Sequence, residues 1–282
     1  MALVTSKQML LSAKKGNYAV GAFNAENMEM VQAIIAAAEE MHAPVIIQTT
    51  PSTVRYGGLE LYLSNVKALA EKAGVPVALH LDHGSSFELC AQALRAGYTS
   101  IMIDGSQLPL EENIALTRRV VEMCAPAGVP VEGEIGRVGG KEDDTQSEES
   151  GYTIPSEAVR FEAETGLSSM AVGVGTAHGV YKTTPVLNTQ LVAELAALLS
   201  VPLVLHGASG LSDSAVRECI RQGICKVNFA TELRIAYSAG IKKVLSDRPD
   251  TFDPKVYGGL GRENVKNLVK DRITVCGCSG RA

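Results

Sequence analysis

The 282-residue chain carries 26 Lys and Arg against 31 Asp and Glu, a net charge of −5 with no basic stripe, which argues against nucleic acid as a partner. It is 46% hydrophobic and 20% charged, enough to bury a large core, yet no stretch approaches the ~18 uninterrupted apolar residues of a membrane span. The opening MALVTSKQMLLSAKKG lacks the apolar run of a signal peptide, and cysteines 90, 124, 219, 225, 276 and 278 show no CxxC pairing, so reduced thiols in a cytoplasmic protein are expected.

Short β-rich runs alternate with longer helical patterns along the chain, which predicts repeated βα units and a parallel sheet. Strands are expected at 18–23, 45–49, 76–81, 100–103, 129–134, 169–174, 202–206 and 224–229. Helices fall between them, for example at 26–41, 86–96 and 111–124; in the first, Met30, Ile34, Ala37 and Met41 line one face. The phrase AGVPV occurs at 73–77 and again at 127–131, and SVPLV follows at 200–204. Each ends a helix with a small residue and admits a buried strand through a proline.

Eight such units in one chain fit a (β/α)8 TIM barrel better than an open doubly wound sheet, although periodicity alone does not close the barrel. The strand ends favour closure. Asn24, Gln48, Asp82–His83, Asp104, Glu132, Glu134, His206 and Asn228 each finish or follow a run, and His178 trails the sixth. One Asp at a strand end caps a helix; a ring of polar ends marks the catalytic rim of a barrel. The whole chain, 1–282, reads as one such domain.

Three segments break the rhythm. Residues 136–154, GRVGGKEDDTQSEESGYTI, are either a solvated excursion or a mobile, acid-bearing active-site loop. Residues 175–188 form a second long loop, and the extension from 250 to 282 either caps the barrel or makes an interface.

Five histidines stand at 42, 80, 83, 178 and 206. His42 reads as a helix-end residue and His80 as a hydrogen-bonded barrel residue. His83, His178 and His206 fall at or beyond strand ends three, six and seven. They are either three separate polar contacts or a three-His site with an open position, suited to Zn²⁺. Small residues around Gly179 and in Gly207–Ala208–Ser209–Gly210 let backbone amides approach an anion. The loops after strands seven and eight are the usual phosphate cradle of a TIM barrel, so Asn228–Phe229–Ala230–Thr231 joins this group.

The motifs AVGAFN, HLDHG, MIDGS, VEGEIGRVGGKEDD, GTAHGVY, LVLHGASGL, KVNFATELR and VCGCSGRA run in order over nearly the entire chain. Together they resemble the class II ketose-bisphosphate aldolases, which act on fructose or tagatose 1,6-bisphosphate. The resemblance implies that His83, His178 and His206 hold a catalytic Zn²⁺. Asp104 and Glu134 match positions that hold a second cation, divalent or monovalent, in some members. Asp82 would move the hydroxyl proton, and Glu142 would exchange a proton with the triose. Gly179, Gly207, Ala208, Ser209, Asn228, Phe229, Ala230 and Thr231 would hold the dihydroxyacetone phosphate half. Asn24, on the same rim, is expected to meet substrate. Lys182 could reach a phosphate or remain a solvated loop lysine, and Arg234 could hold the second phosphate. The family also implies a homodimer or homotetramer.

Some residues depart from the common family wording. Gly84 follows His83 where many tagatose-type members have His, Gly133 stands in VEGEIG where Ala is usual, and Lys141 replaces Gln. Phe229 replaces a small aliphatic residue and could narrow the pocket. The run QTTPST (48–53) and Ala230 look more tagatose-like than fructose-like. Lys226 shares strand parity with Asn228, which keeps a Schiff-base route in view. The alternatives to the aldolase reading are a noncatalytic barrel that supports an aldolase partner and an aldolase for a deoxy-keto-gluconate phosphate.

Overall fold

The computed structural model describes residues 3–142, 145–147, 151–179, 181 and 185–282; for 141–142 and 145–147 only the backbone is described. Its centre is a closed parallel barrel of β1 (Val20–Asn24), β2 (Val45–Thr49), β3 (Val77–Gly84), β4 (Ser100–Ile103), β5 (Val131–Ile135), β6 (Ser169–Val172), β7 (Leu203–Leu205) and β8 (Ile224–Phe229). Each strand pairs with its sequence neighbours, and β8 closes on β1. The TIM barrel expected from the repeats is what forms.

The helices are α1 (Ser6–Gly16), α2 (Met28–Glu40), α3 (Pro51–Gly57), α4 (Leu59–Ala70), α5 (Phe87–Ala96), α6 (Leu110–Cys124) and α7 (Pro155–Thr165), then α8 (Thr189–Leu198), α9 (Asp213–Arg221), α10 (Thr231–Asp247) and α11 (Pro254–Cys276). Their starts are written locally: the side chains of Asn27, Ser86, Asn188 and Ser212 accept backbone N–H bonds at the heads of α2, α5, α8 and α9. The repeated proline phrases also acquire a role. The carbonyls of Pro76, Pro130 and Pro202 accept from the amides of Val45, Ile101 and Met170, opening the ladder of the neighbouring strand where no proline N–H is needed.

Outward-facing strand residues and the inner helix faces make the apolar core, which lies between barrel and helices. The barrel interior is different. His80, Glu132, Ser169 and Lys226 are all buried there, and α1 reaches it from the N-terminal end through a 2.7 Å bond between the Ser6 and Ser100 hydroxyls. Residues 250–282 do not cap the rim: α11 lies across α2 and α10, and the Cys276 carbonyl accepts from the amide of Ala19, just before β1.

Two local features position the site. In β3 the pairing with β4 slips between Leu81 and Gly84, and His83 takes φ 47°, a left-handed conformation that non-glycine residues rarely adopt. This bulge breaks the strand's alternation, so the adjacent Asp82 and His83 both serve the rim. Gly84 completes it: a Cβ there would lie 2.3 Å from the Met102 carbonyl oxygen. Its departure from the family wording is therefore a packing matter. Gly133 is similar, since a Cβ would meet the Phe161 ring at 3.1 Å.

The second feature is a small three-stranded sheet outside the barrel. Gly139–Glu142 pairs antiparallel with Thr145–Ser147 and parallel with Ala177–His178. Gly140 sits at φ 88°, and a Cβ on it would approach the His178 carbonyl oxygen to 2.3 Å. The acidic segment is thus docked by its backbone onto the strand that carries His178.

Candidate active site

His83, at the end of β3, His178, on the short strand Ala177–His178, and His206, just past β7, converge at the C-terminal rim. Their ring centroids lie 5.1 Å (83–178), 4.6 Å (83–206) and 6.0 Å (178–206) apart, and each offers a ligand nitrogen within 4.8 Å of the others. Carboxylates fix the orientation of two rings. Asp104 Oδ2 lies 2.7 Å from His83 Nδ1, and Glu132 Oε1 lies 2.9 Å from His206 Nε2. Holding one ring nitrogen aims the other, the usual support of a metal-ligating histidine.

His206 Nδ1 and Glu134 Oε2 are buried 3.3 Å apart with no aligned hydrogen bond between them. A cation would satisfy both, and three imidazoles with an adjacent carboxylate suit Zn²⁺. His83, Asp104 and Glu134 form a second possible group that shares His83 with the first.

Charge on this side is strongly coupled. Burial alone would favour neutral carboxyls, but the Lys226 ammonium and the hydrogen bond from His206 hold Glu132 far below the ordinary carboxylate range. Burial opposes protonation of His206, while the hydrogen bond to Glu132 and the nearby Glu134 carboxylate push it up to about 9. Asp104 is likewise held low against burial by His83 and by the Ser106 amide. His80 is driven well down by burial first and by Lys226 second.

Lys226 Nζ lies 2.9 and 3.2 Å from the two Glu132 oxygens and is 1% exposed. A Schiff-base lysine must present a neutral amine to a carbonyl. Lys226 is locked in a buried ion pair beneath the rim instead, a structural role. His80 extends the network, with Nδ1 2.8 Å from Ser100 Oγ and Nε2 3.8 Å from Glu132.

Asp82, next to His83 on β3, keeps very different company. Asn24 Nδ2 (3.0 Å) and Gln48 Nε2 (3.1 Å) donate to its Oδ2, and Asn228 Nδ2 (3.1 Å) donates to Oδ1. Gln48 also donates to Asn24 Oδ1 at 2.7 Å. Three neutral amides from β1, β2 and β8 therefore fix a fully buried carboxylate. Asn24, expected to meet substrate, spends its side chain on Asp82. Gln48, noted in the sequence only as a polar strand end, belongs to the same cluster.

The candidate phosphate cradle lies between β6, β7 and β8. Gly179 (φ 88°), Gly207 (φ 67°) and Gly210 (φ 90°) turn the chain, and the Tyr181 hydroxyl donates to the Gly207 carbonyl while accepting from the Ala177 amide. Ser209 Oγ accepts from the Ala230 amide at 3.1 Å, tying this turn to the head of α10. The N-cap residue of α10, Ala230, has no side chain to cap the helix, whose first residue is Thr231. An uncapped helix start beside glycine turns is a ready anion site.

Phe229 corrects the sequence reading. Its ring does not narrow the pocket: strand parity turns it outward, where it stacks on Phe23 at 5.5 Å with Arg272 above it. Ala208 is likewise a core residue. Arg234 stands in the first turn of α10 with its Nε 2.6 Å from Glu26 Oε1. Lys182 and the side chain of Glu142 lie outside the described residues.

Comparison with known proteins matches this arrangement. The family model of class II fructose-bisphosphate aldolases covers residues 4–281. The chain belongs to the class II fructose-bisphosphate aldolase family. It is therefore an aldolase, a carbon–carbon lyase, of a family characteristically dependent on zinc. Among solved structures it resembles the YdjI aldolase of Escherichia coli K12, with 37% identity, a TM-score of 0.89 and 99% of each chain covered. The fructose-bisphosphate aldolase (Fba) of Campylobacter jejuni shares the fold at 22% identity and a TM-score of 0.84, with 100% of this chain and 97% of that one covered.

Proposed function

We propose that this aldolase reversibly cleaves a phosphorylated ketose into dihydroxyacetone phosphate and an aldehyde, using Asp82 and a Zn²⁺ held by His83, His178 and His206. The observation that carries the reading is the meeting of three rim histidines with a buried carboxylate held by three amides. Bound by those histidines, zinc supplies Lewis-acid stabilisation of the negative charge that cleavage leaves on the dihydroxyacetone phosphate half.

The protein's own groups divide the remaining work. Asp82 takes the proton of the C4 hydroxyl as the C3–C4 bond breaks, and returns it in the condensation direction. The Asn24, Gln48 and Asn228 amides keep its oxygens aimed without adding charge. The Gly207–Ser209 turn and the head of α10 bind the phosphate on C1. Glu142, on the segment docked against His178, exchanges the proton at C3 of the triose.

Ala230 and the 48–53 run favour the tagatose configuration at C4 over the fructose one. Parallel kinetics on tagatose and fructose 1,6-bisphosphates, with metal content measured, test this. A higher kcat/KM for tagatose supports the reading; a clear fructose preference overturns the stereochemical part. Absence of cleavage of any ketose phosphate by zinc-loaded protein would favour the noncatalytic-barrel alternative.

A further inference from the structure

The side of the pocket that receives the aldehyde half can be placed from the geometry. The phosphate of the dihydroxyacetone half belongs to the β6–β8 loops, and Asp82 is held by residues of β8, β1 and β2. Substrate atoms beyond the breaking bond therefore run from Asp82 over the ends of β1 and β2, away from that phosphate. A continuous polar row lies there. Thr50, two residues past Gln48, is buried with its Oγ1 3.0 Å from that of Thr53. Thr53 Oγ1 donates to Glu26 Oε2 at 2.7 Å, and Glu26 Oε1 receives both Nε and Nη2 of Arg234 at 2.6 Å. Glu26 is two residues past Asn24, and its backbone is pinned by the Tyr62 hydroxyl, which donates to its carbonyl. Both members of the pair stay partly open to solvent, at 29% for Glu26 and 34% for Arg234.

We propose that the Glu26–Arg234 ion pair makes this end of the pocket select an uncharged, hydroxyl-bearing aldehyde tail over a phosphorylated one. The proposal rests on the aldolase reading and deepens it. A guanidinium alone would draw a phosphate dianion strongly. Here a carboxylate shares the same place, and at comparable distance its repulsion offsets most of the attraction. The row that remains, two hydroxyls, a carboxylate acceptor and guanidinium donors, matches sugar hydroxyls, which both donate and accept. Arg234 then orders the row and does not serve as a phosphate clamp.

The test is condensation of dihydroxyacetone phosphate with D-glyceraldehyde or with its 3-phosphate, using zinc-loaded wild type and Glu26→Gln. Wild type should use the unphosphorylated aldehyde with a kcat/KM at least equal to that for the phosphate. Glu26→Gln keeps the shape and removes the charge, so it should raise kcat/KM for the phosphate about tenfold relative to glyceraldehyde. Adding Arg234→Gln to that variant should remove the gain. The readout is a ratio of two substrates in one preparation, so partial unfolding cancels. A wild-type preference for the phosphate of about tenfold or more, or an unchanged ratio in Glu26→Gln, overturns this proposal alone. Condensation with neither aldehyde overturns the aldolase reading and the proposal with it.

Discussion

Asp82 and His206 are both fully buried on the same rim, and the protein holds them by opposite means. Around Asp82, on β1, β2 and β8, the support is three neutral amides. Around His206, on β5, β7 and β8, it is charge: Glu132 contacts the imidazole at 2.9 Å and the Lys226 ammonium at 2.9 Å. The difference follows from the tasks. A group that must take and return a proton needs its oxygens held in place, and amides supply donors without a net charge. A group that must hold a cation needs a fixed tautomer and added basicity, which a carboxylate supplies. Lys226 in turn compensates that carboxylate in a place where an unpaired charge would be very costly.

The largest effect expected is on the charged side. His178→Ala should abolish zinc retention measured by elemental analysis, and a fully active, metal-loaded variant would sink the ligand assignment. On the amide side, Asp82→Ala should retain metal yet lose roughly 10²–10⁴-fold in kcat, the usual worth of a positioned acid/base. Normal turnover would remove Asp82 from the chemistry.

Support residues separate the two sides further. Glu132→Gln should weaken zinc binding about 10–100-fold in chelator competition. It should also cost about 3–5 kcal/mol in denaturant unfolding, because Lys226 is left buried without its partner. Replacing the pair by Leu and Met should restore most of the stability but not the zinc affinity; full recovery of affinity would show that Glu132 does not orient His206. The smallest effect belongs to Gln48→Ala, which removes one of the amides on Asp82. Here kcat should fall about tenfold, for one charge-assisted hydrogen bond of roughly 1.5 kcal/mol, with zinc content unchanged. Loss of zinc in this variant would erase the distinction between the two sides.

Much of this was legible in the sequence because strand-end polarity and βα rhythm are local signals. The barrel, the three rim histidines and Asp82 follow from them, and the family motifs add the chemistry. What escaped depends on which way a side chain points. Phe229 sits in the right motif, but strand parity turns its ring into the outer core against Phe23. The pairing of Lys226 with Glu132 joins residues 94 positions apart, and nothing in either motif announces it. Glu26 reads as an ordinary residue ahead of α2; only closure of β8 onto β1 brings Arg234 to it. The β3 bulge at His83 was hidden for a related reason. Strict alternation would send Asp82 and His83 to opposite faces, and only the register slip shows how neighbours in sequence share one site.

The central claim is that three histidines and a metal act on the dihydroxyacetone phosphate half. Exchange of a C3 hydrogen of dihydroxyacetone phosphate with deuterated water, followed by NMR, tests this without any aldehyde and so apart from the choice of tail. Zinc-loaded protein should catalyse the exchange, a strong chelator should abolish it, and one equivalent of zinc per chain should restore it. Exchange that continues undiminished after complete removal of metal would contradict the account.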